Sequence, residues 1–506
     1  MQCRLIEKIK NDKLVWLKNN FIIILVLGAI LAMAISLNIG LAQSVWFDEA
    51  YSIMLAKQPI GQLIHLTSVD THPPLYYLLL SGWGNIFGWG EFALRSLSVL
   101  CMGGAIFVAG LLIKKLFGIR AALITLPFII FAPFLLRYGF EIRMYSLASL
   151  ICIAATYTLI SALQANRKKQ MILFSLYAIL VALGVLTLYY TALLWIAHFV
   201  WLLWRCYLSK ESFLESTWLK SYVLSVILFL PWLPTFINQI SNGALAPISQ
   251  SMTLENLLGV ISFSFLYRPI WQLGPLLSLV ILFVIIMLVY ISIKAFQVID
   301  KKQKQYLVLF AMYLIVPITI LSLVGLVRPM YVERYLAHVL IGGSLFIGVA
   351  IALIIKKTSS VFKILVTMLT LVLIVGITQL IKVGNYNFQR LQKPDLNAAS
   401  SLISNCKSNN VVLAADPYVA IELSYYLPSC RINFYSDTPS LGGGYSALSN
   451  SDLRINSPEV ELKSANTINY IYYGEAKLKM PDSQILIEKQ TFDNLTVEQY
   501  KSINNK

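Results

Sequence analysis

Along the first three quarters of this chain the apolar residues do not alternate with polar ones; they run together. Eleven apolar stretches lie near 21–41, 92–113, 119–136, 146–163, 171–188, 192–204, 221–236, 273–293, 306–327, 335–355 and 361–381. A helix of about 20 such residues crosses a hydrocarbon core about 30 Å thick. Lipid offers backbone groups no other partner, so each stretch is read as a helix. The sixth is the shortest. The pattern predicts a polytopic α-helical membrane protein with about 11 transmembrane helices. The run at 21–41 is too long for a signal-peptide core of about 7–15 residues, and Leu41-Ala42-Gln43-Ser44 makes a poor cleavage site, so it is read as an uncleaved anchor.

From residue 382 the pattern changes: charges become frequent and no 18-residue apolar run remains. Pro394-Asp395 opens a helix expected to reach about Asn405. Val411–Ala415, Ile432–Tyr435, Ile468–Tyr473 and Ile485–Glu488 read as strands, with a helix over 418–427. Such alternation predicts a small α/β domain. Gly442-Gly443-Gly444 reads as a loop rather than a phosphate cradle. Cys406 and Cys430 are the only tail cysteines; either they bridge or they are two free thiols.

Composition agrees with the membrane reading. The 506 residues are 58% hydrophobic and 13% charged, against about 45–50% and about 25% in soluble chains. A soluble enzyme, a disordered chain and a collagen-like fibre are excluded. The net charge of +16 changes the picture through its distribution. Residues 382–506 hold 12 basic and 12 acidic residues, so the whole excess lies in the apolar part. With the N-terminus placed in the cytoplasm, 21 Lys and Arg fall inside: Arg4, Lys8, Lys10, Lys13, Lys18, Lys114, Lys115, Arg120, Arg167, Lys168, Lys169, Arg205, Lys210, Lys220, Lys294, Lys301, Lys302, Lys304, Lys356, Lys357 and Lys363. Only seven fall in the outer loops before the tail. That asymmetry is the positive-inside pattern, and the odd span count puts the tail outside. The expected organisation is a cytoplasmic N-terminus at 1–20, a transmembrane domain at 21–381 with a long first outer loop at 42–91, and an extracytoplasmic domain at 382–506. No basic, aromatic-interleaved patch stands in the tail, so nucleic acid is not an expected partner.

Unusual side chains gather at the predicted outer ends. Trp46-Phe47-Asp48-Glu49-Ala50-Tyr51 and His72-Pro73-Pro74-Leu75-Tyr76-Tyr77 lie in the first loop. Arg137-Tyr138-Gly139-Phe140-Glu141-Ile142-Arg143-Met144-Tyr145 follows the third span, and Tyr189-Tyr190 the fifth. Glu255, Tyr267 and Arg268 occupy the loop near 237–272, and Arg328-Pro329-Met330-Tyr331-Val332-Glu333-Arg334-Tyr335 follows the ninth span. One tyrosine alone is most simply an interfacial anchor. Acids interleaved with arginines at several ends point to a polar site, since charges at a span end are costly unless paired, hydrated or functional. A carboxylate at an apolar boundary can serve as a general base, and arginines present forks that fit a phosphate. That chemistry suits a hydroxyl attacking a sugar whose leaving group is a phosphate. The bland alternative is that Asp48 and Glu49 pair with Arg137 or Arg143 and only hold loops. Four histidines and no HxxxH, HExxH or CxxC motif argue against a tight zinc site; no cofactor is assigned, and a divalent metal shared by Asp48, Glu49 and His72 is the option left open.

The ordered set of motifs resembles the glycosyltransferase family 39-like group of the GT-C superfamily. These are polyprenyl-phosphate-dependent membrane sugar transferases, related to protein O-mannosyltransferases and lipid A aminoarabinose transferases. The resemblance rests on Trp46–Tyr51, His72–Tyr77, Glu91 with Ala93-Leu94-Arg95, Glu141-x-Arg143-x-Tyr145, Tyr190 and Arg334-Tyr335, and covers most of 40–350. It implies a GT-C fold and transfer, with inversion, on the non-cytoplasmic side. The donor is a polyprenyl-phosphate sugar and the acceptor a lipid, glycan or protein. It implies Asp48 as the catalytic acid position, with Glu49 as the second member supporting loop geometry. Arg137, Glu141, Arg143, Tyr145, Tyr190, Arg334, His72 and Tyr76 are implied around the donor phosphate and sugar, with Tyr331 as a further contact. The tail lacks the threefold repeat of the β-trefoil in eukaryotic protein mannosyltransferases. A basic chain with no cleavable or retention signal fits a bacterial plasma membrane. The competing reading is a transporter or lipid flippase, for which paired repeats and midplane charges are expected.

Overall fold

A computed structural model describes residues 15–210, 212–241, 251, 253–267, 274–355, 360–383, 393–403, 410–436, 441, 448, 453–455, 462–463 and 465–503. Arg4, Lys8, Lys10, Lys13, Arg268, Lys356, Lys357, Gly442–Gly444 and Cys406 lie outside them. The described residues contain ten helices long and apolar enough to cross a membrane, and an eleventh span if one bent pair is counted. They fall where the hydropathy predicts. The short sixth stretch is a full helix, Thr191–Ser209, which continues past residue 204 through Arg205–Ser209.

The bent pair is Ile119–Ile130 and Pro133–Gly139, with axes 61° apart. The sequence predicts one span here. Pro133 has no N–H to continue the first helix. Ala132 before it takes the extended backbone that a following proline favours, with φ -69° and ψ 111°. The loop near 237–272 likewise contains a helix, Leu254–Phe265, whose first turn is capped by Thr253 accepting the Asn256 N–H.

The chain divides into two compact units. The first comprises residues 1–39, 98–231 and 248–384 and holds most of the apolar helices. Small residues allow close approach there. A side chain at Gly348 on helix Ala337–Ile354 would meet Thr125 Cα at 2.8 Å, so only glycine fits. A polar chain threads the same bundle. His198 bonds Thr156 Oγ1 at 3.1 Å and the Tyr177 hydroxyl at 3.1 Å. Tyr177 meets Tyr222 at 3.2 Å, and Thr156 also bonds Tyr313. Five helices are tied by groups that lipid would leave unsatisfied. Side chains such as Leu27, Leu279, Leu282 and Ile286 are exposed, as lipid-facing positions should be.

The second unit comprises residues 40–97, 232–247 and 385–506, so the first-loop segment and the tail belong to one body. Residues 42–91 form three helices, Phe47–Ala56, Ile60–Ser68 and Leu75–Phe87, the last starting as soon as Pro73-Pro74 is passed. The tail is an α/β domain around a six-stranded sheet. Its strands are β1 (Asn410–Ala414), β2 (Ile432–Tyr435), β3 (Arg454–Ile455), β4 (Thr467–Tyr473), β5 (Gln484–Phe492) and β6 (Leu495–Ser502), in spatial order β3-β2-β1-β4-β6-β5. The first four are mutually parallel, with Val412 opposite Ile432 and Asn469; β6 is antiparallel to β4 and β5. Helix Pro417–Tyr426 links β1 to β2, and Leu413, Ile468, Tyr470 and Tyr472 form the core. The helix expected from Pro394 to about Asn405 is described over Leu396–Ser401, capped by Asp395 accepting the Ala398 N–H at 3.0 Å. Cys430 is disulfide-bonded.

Candidate functional site

Helix Phe47–Ala56 begins without a capping side chain of its own, because Trp46 stands where Ser, Thr, Asp or Asn would serve. Its first turn instead carries Asp48 and Glu49, whose charges favour a helix N-terminus. The two neighbours have different settings. Glu49 is fully buried and reaches back to accept the Trp46 N–H at 3.4 Å. It sits in the fork of Arg95, with Nε to Oε1 at 3.4 Å and Nη2 to Oε2 at 3.2 Å. Arg95 is itself fully buried, and its Nη1 also donates to Gly40 O (2.6 Å), Gln43 O (3.0 Å) and Glu91 Oε2 (3.0 Å). One guanidinium therefore ties the entry of the first loop, the Asp48 turn and the start of helix Glu91–Phe117. Asp48 is 7% exposed, and its backbone carbonyl accepts the Ser52 hydroxyl at 2.8 Å.

The tail contributes further contacts to this turn. Glu422, on helix Pro417–Tyr426, accepts the Phe47 N–H at 2.8 Å through Oε1 and the Tyr473 hydroxyl at 2.8 Å through Oε2. Tyr426 accepts the Val45 N–H at 2.7 Å and donates to Glu91 Oε1 at 2.9 Å. The Phe47 ring lies 4.5 Å from that of Tyr418, and Lys393 Nζ stands 4.9 Å over the Trp46 ring. Burial, and then the nearby Asp416, pushes the Glu422 carboxyl up to about 8, against the Tyr473 and Phe47 hydrogen bonds and Lys393, which favour its charge. His72 and Tyr76 are buried on the turn before helix Leu75–Phe87 and on that helix. The turn is pinned by Gln239, whose Nε2 donates to Thr67 O at 3.0 Å and Asp70 O at 2.8 Å.

A second polar cluster lies in the first unit. Arg137, 2% exposed, pairs with Glu141 at 2.6 Å and stands 5.3 and 5.1 Å over the Tyr138 and Phe140 rings. A tight turn, with the Arg143 N–H donating to Glu141 O at 2.6 Å, then leads into helix Tyr145–Leu163. The Tyr145 ring lies 5.3 Å from Tyr138 and 6.2 Å from Tyr335, and Tyr335 lies 5.0 Å from Tyr190. Tyr190 donates to Met330 O and its own carbonyl meets His338 Nε2 at 3.1 Å. The ring chain thus brings together the segments that carry Arg137, Arg143, Tyr190 and Arg334. Arg143 and Arg334 are 4% and 5% exposed. Burial, followed by Tyr335 for Tyr190 and Glu333 for Tyr331, raises both hydroxyls, which stay protonated donors. An apolar cleft in this unit is lined by Phe128, Ala132, Val260, Phe265, Leu340 and Leu373 among others. Ala132 directly precedes the short helix that carries Arg137.

Two of these charged groups have identified partners. Glu49 is held by Arg95, and Arg137 by its own Glu141, four residues on. Among the described residues no three His, Cys, Asp or Glu stand close enough to hold a metal ion, so Asp48, Glu49 and His72 do not form the shared site left open above. Sequence reasoning assigned no task to Arg95, Glu91, Gln239, Glu422 or Tyr426. The Glu91-x-x-x-Arg95 spacing is a helical pair signal, and Glu422 is a lone acid within the apolar run Val419-Ala420-Ile421-Glu422-Leu423.

Residues 71–234 match the family described as dolichyl-phosphate-mannose-protein mannosyltransferase. The fold is similar to that of ArnT from Cupriavidus metallidurans. The crystal structure of ArnT bound to undecaprenyl phosphate matches with a TM-score of 0.60 at 13% identity, covering 95% of this chain and 98% of that one. Its apo form matches with a TM-score of 0.59 at 12% identity, over the same shares. An Archaeoglobus fulgidus oligosaccharyltransferase in its apo form matches at 0.49 and 13% identity, over 81% and 64%. No curated protein sequence matches the chain. The chain has a multi-span GT-C fold with a small C-terminal sheet domain.

Proposed function

We propose that this protein is an integral-membrane glycosyltransferase that moves a sugar from a polyprenyl-phosphate donor to an acceptor hydroxyl on the extracytoplasmic side. The observation that carries the reading is the buried first turn of helix Phe47–Ala56: Glu49 is held in the Arg95 fork, which fixes the turn that carries Asp48. The matched mannosyltransferase segment and the ArnT-like fold support the reaction class. The 21-to-7 split of basic residues supports a cytoplasmic N-terminus at 1–20, a catalytic domain at 21–381 and an outer domain at 382–506.

In this mechanism the acceptor oxygen attacks the anomeric carbon while its proton passes to the Asp48 carboxylate. The bond from that carbon to the phosphate oxygen breaks, and polyprenyl phosphate departs as an anion. A single displacement inverts the anomeric centre. Arg143 and Arg334 bind the donor phosphate and stabilise the charge that develops on it. Arg137, held by Glu141, fixes the turn that leads to Arg143. Tyr145, Tyr190, His72 and Tyr76 contribute to sugar and phosphate binding, and the prenyl chain lies along the apolar cleft. ArnT was crystallised with undecaprenyl phosphate, which supports a lipid of this chemistry. The test is transfer in liposomes from a panel of labelled polyprenyl-phosphate sugars to membrane lipids, glycans and proteins. Label moving from one donor to an acceptor supports the reading; a folded protein that transfers from none of them, yet carries lipid between leaflets, refutes it in favour of a flippase.

A further inference from the structure

The strands β1, β2 and β4 are parallel, and the order β2-β1-β4 makes a topological switch between β1 and β4. In open α/β sheets the crevice at the carboxyl ends of such strands is where ligands bind. Here Asp416 follows β1, Tyr473 ends β4, and helix Pro417–Tyr426 starts beside them. Asp416 caps that helix, accepting the Tyr418 and Val419 N–H groups at 3.0 and 3.1 Å, and Lys477 stands 3.5 Å from its other oxygen. Tyr473 is turned to Glu422, and the next atom along is the Phe47 N–H. The chain's own Asp48-bearing turn meets this helix, with Phe47 against the Tyr418 ring and the Glu422 carboxyl.

We propose that the C-terminal domain is a positioning device for this turn, with Glu422 as the positioning residue that supplies the helix cap missing from Trp46. The proposal rests on the reading of Asp48 as the catalytic base. The first four N–H groups of a helix have no internal partner. Phe47 opens this helix, and its N–H is satisfied from 375 residues away. Asp48 is the next residue, so the cap fixes the backbone from which the base projects. Tyr473 holds the second carboxyl oxygen and so sets the rotamer of Glu422. The environment of Glu422, with Asp416 and Lys393 as the charges that act on it and Tyr473 and the Phe47 N–H as its hydrogen-bond donors, favours the neutral acid. A neutral glutamine can replace that acid, accepting the Phe47 N–H through its carbonyl oxygen.

The test is a kinetic cycle on the full-length protein in liposomes. Glu422→Ala should lower kcat roughly 10- to 100-fold, the loss expected when a reacting group is misplaced by about an ångström, with KM for the donor unchanged. Glu422→Gln should restore kcat to near wild type. Phe47→Pro removes the hydrogen-bond donor at a position where proline suits a helix. The residue before it, Trp46, is already extended, with φ -99° and ψ 173°, as a following proline requires. Phe47→Ala removes only the ring and serves as its reference. Glu422→Ala should lower kcat in the Phe47→Ala background and cost nothing further in the Phe47→Pro background, because the bond is already gone. An equal loss in both backgrounds, or a folded Glu422→Ala protein with wild-type kcat, overturns the proposal. If Glu422→Ala does not fold, Phe47→Pro against Phe47→Ala decides alone, and equal kcat values overturn it. Asp48→Asn is run alongside: full activity there sinks the general-base reading, whatever Glu422 does.

Discussion

Replacing Glu49 separates the two adjacent acids most sharply. Both Glu49 and Arg95 have fully buried side chains, joined by two contacts of 3.2 and 3.4 Å. Removing one member of a buried pair costs about 3–5 kcal/mol, chiefly because the other charge is left uncompensated. Arg95 would keep Glu91, whose side chain is 27% exposed, and the carbonyls of Gly40 and Gln43. Glu49→Ala is therefore expected near the low end, about 3 kcal/mol. At about 1.4 kcal/mol per decade this is a fall of more than 100-fold in the folding equilibrium constant. Glu49→Gln keeps one oxygen for the fork but loses the charge, and should cost about 1–3 kcal/mol. The assay is denaturant unfolding in detergent at room temperature followed by tryptophan fluorescence, paired with transfer rates normalised to folded protein. The folded Glu49→Gln enzyme should transfer sugar at a rate of the same order as wild type. Two results would refute the reasoning: a cost below about 1 kcal/mol for Glu49→Ala, the value of an exposed pair, or a fully folded Glu49→Gln protein that is inactive.

Arg143→Ala should weaken donor binding roughly 10- to 150-fold, the value of about 1.5–3 kcal/mol for a charged hydrogen bond; titration with the polyprenyl phosphate checks it, and a loss confined to acceptor KM contradicts it. Glu422 makes stability pH-dependent. Its carboxyl is raised from an ordinary 4.5 to about 8, so the folded state holds a proton that the unfolded state releases. That stability is fully present below pH 4.5 and is lost as pH rises through about 8; melting curves across this window should fall for wild type and flatten for Glu422→Gln. His198→Leu should destabilise the bundle by roughly 1 kcal/mol, since it breaks two intramembrane hydrogen bonds worth about 0.6 kcal/mol each, while Thr156 keeps Tyr313 and Tyr177 keeps Tyr222. Transfer by the folded fraction should be unchanged, and an inactive folded variant would place His198 in the chemistry.

The spans were legible because hydropathy reports a cost that no tertiary contact can remove: a backbone in lipid must close its own hydrogen bonds. Pro133 was equally visible, yet a proline in an apolar run signals a kink without giving its angle. The 61° break emerges only when the two segments pack. In the tail, β1, β2 and β4 announce themselves through Val, Ile and Tyr. Strand β6, Leu495–Ser502, did not, because Glu498, Gln499 and Lys501 mask its alternation; its Glu498 is nonetheless held by Tyr472 and Tyr500. Asp48 and Glu49 stood out as a pair, but adjacency could not name the arginine that holds Glu49: Arg95 lies 46 positions away. Glu422 was hidden for the same reason: its partner is 375 positions distant, and a capping contact between segments so far apart leaves no local pattern.

The central claim is that Asp48 takes the acceptor proton in a polyprenyl-phosphate-dependent sugar transfer. The most direct measurement compares single-turnover transfer by wild type and Asp48→Asn in the same liposomes, with donor binding measured in parallel. The account predicts a loss of roughly 100- to 10,000-fold in the chemical step, the usual contribution of a positioned base, with donor affinity kept. Transfer at more than a tenth of the wild-type rate by a folded, donor-binding Asp48→Asn protein would contradict it.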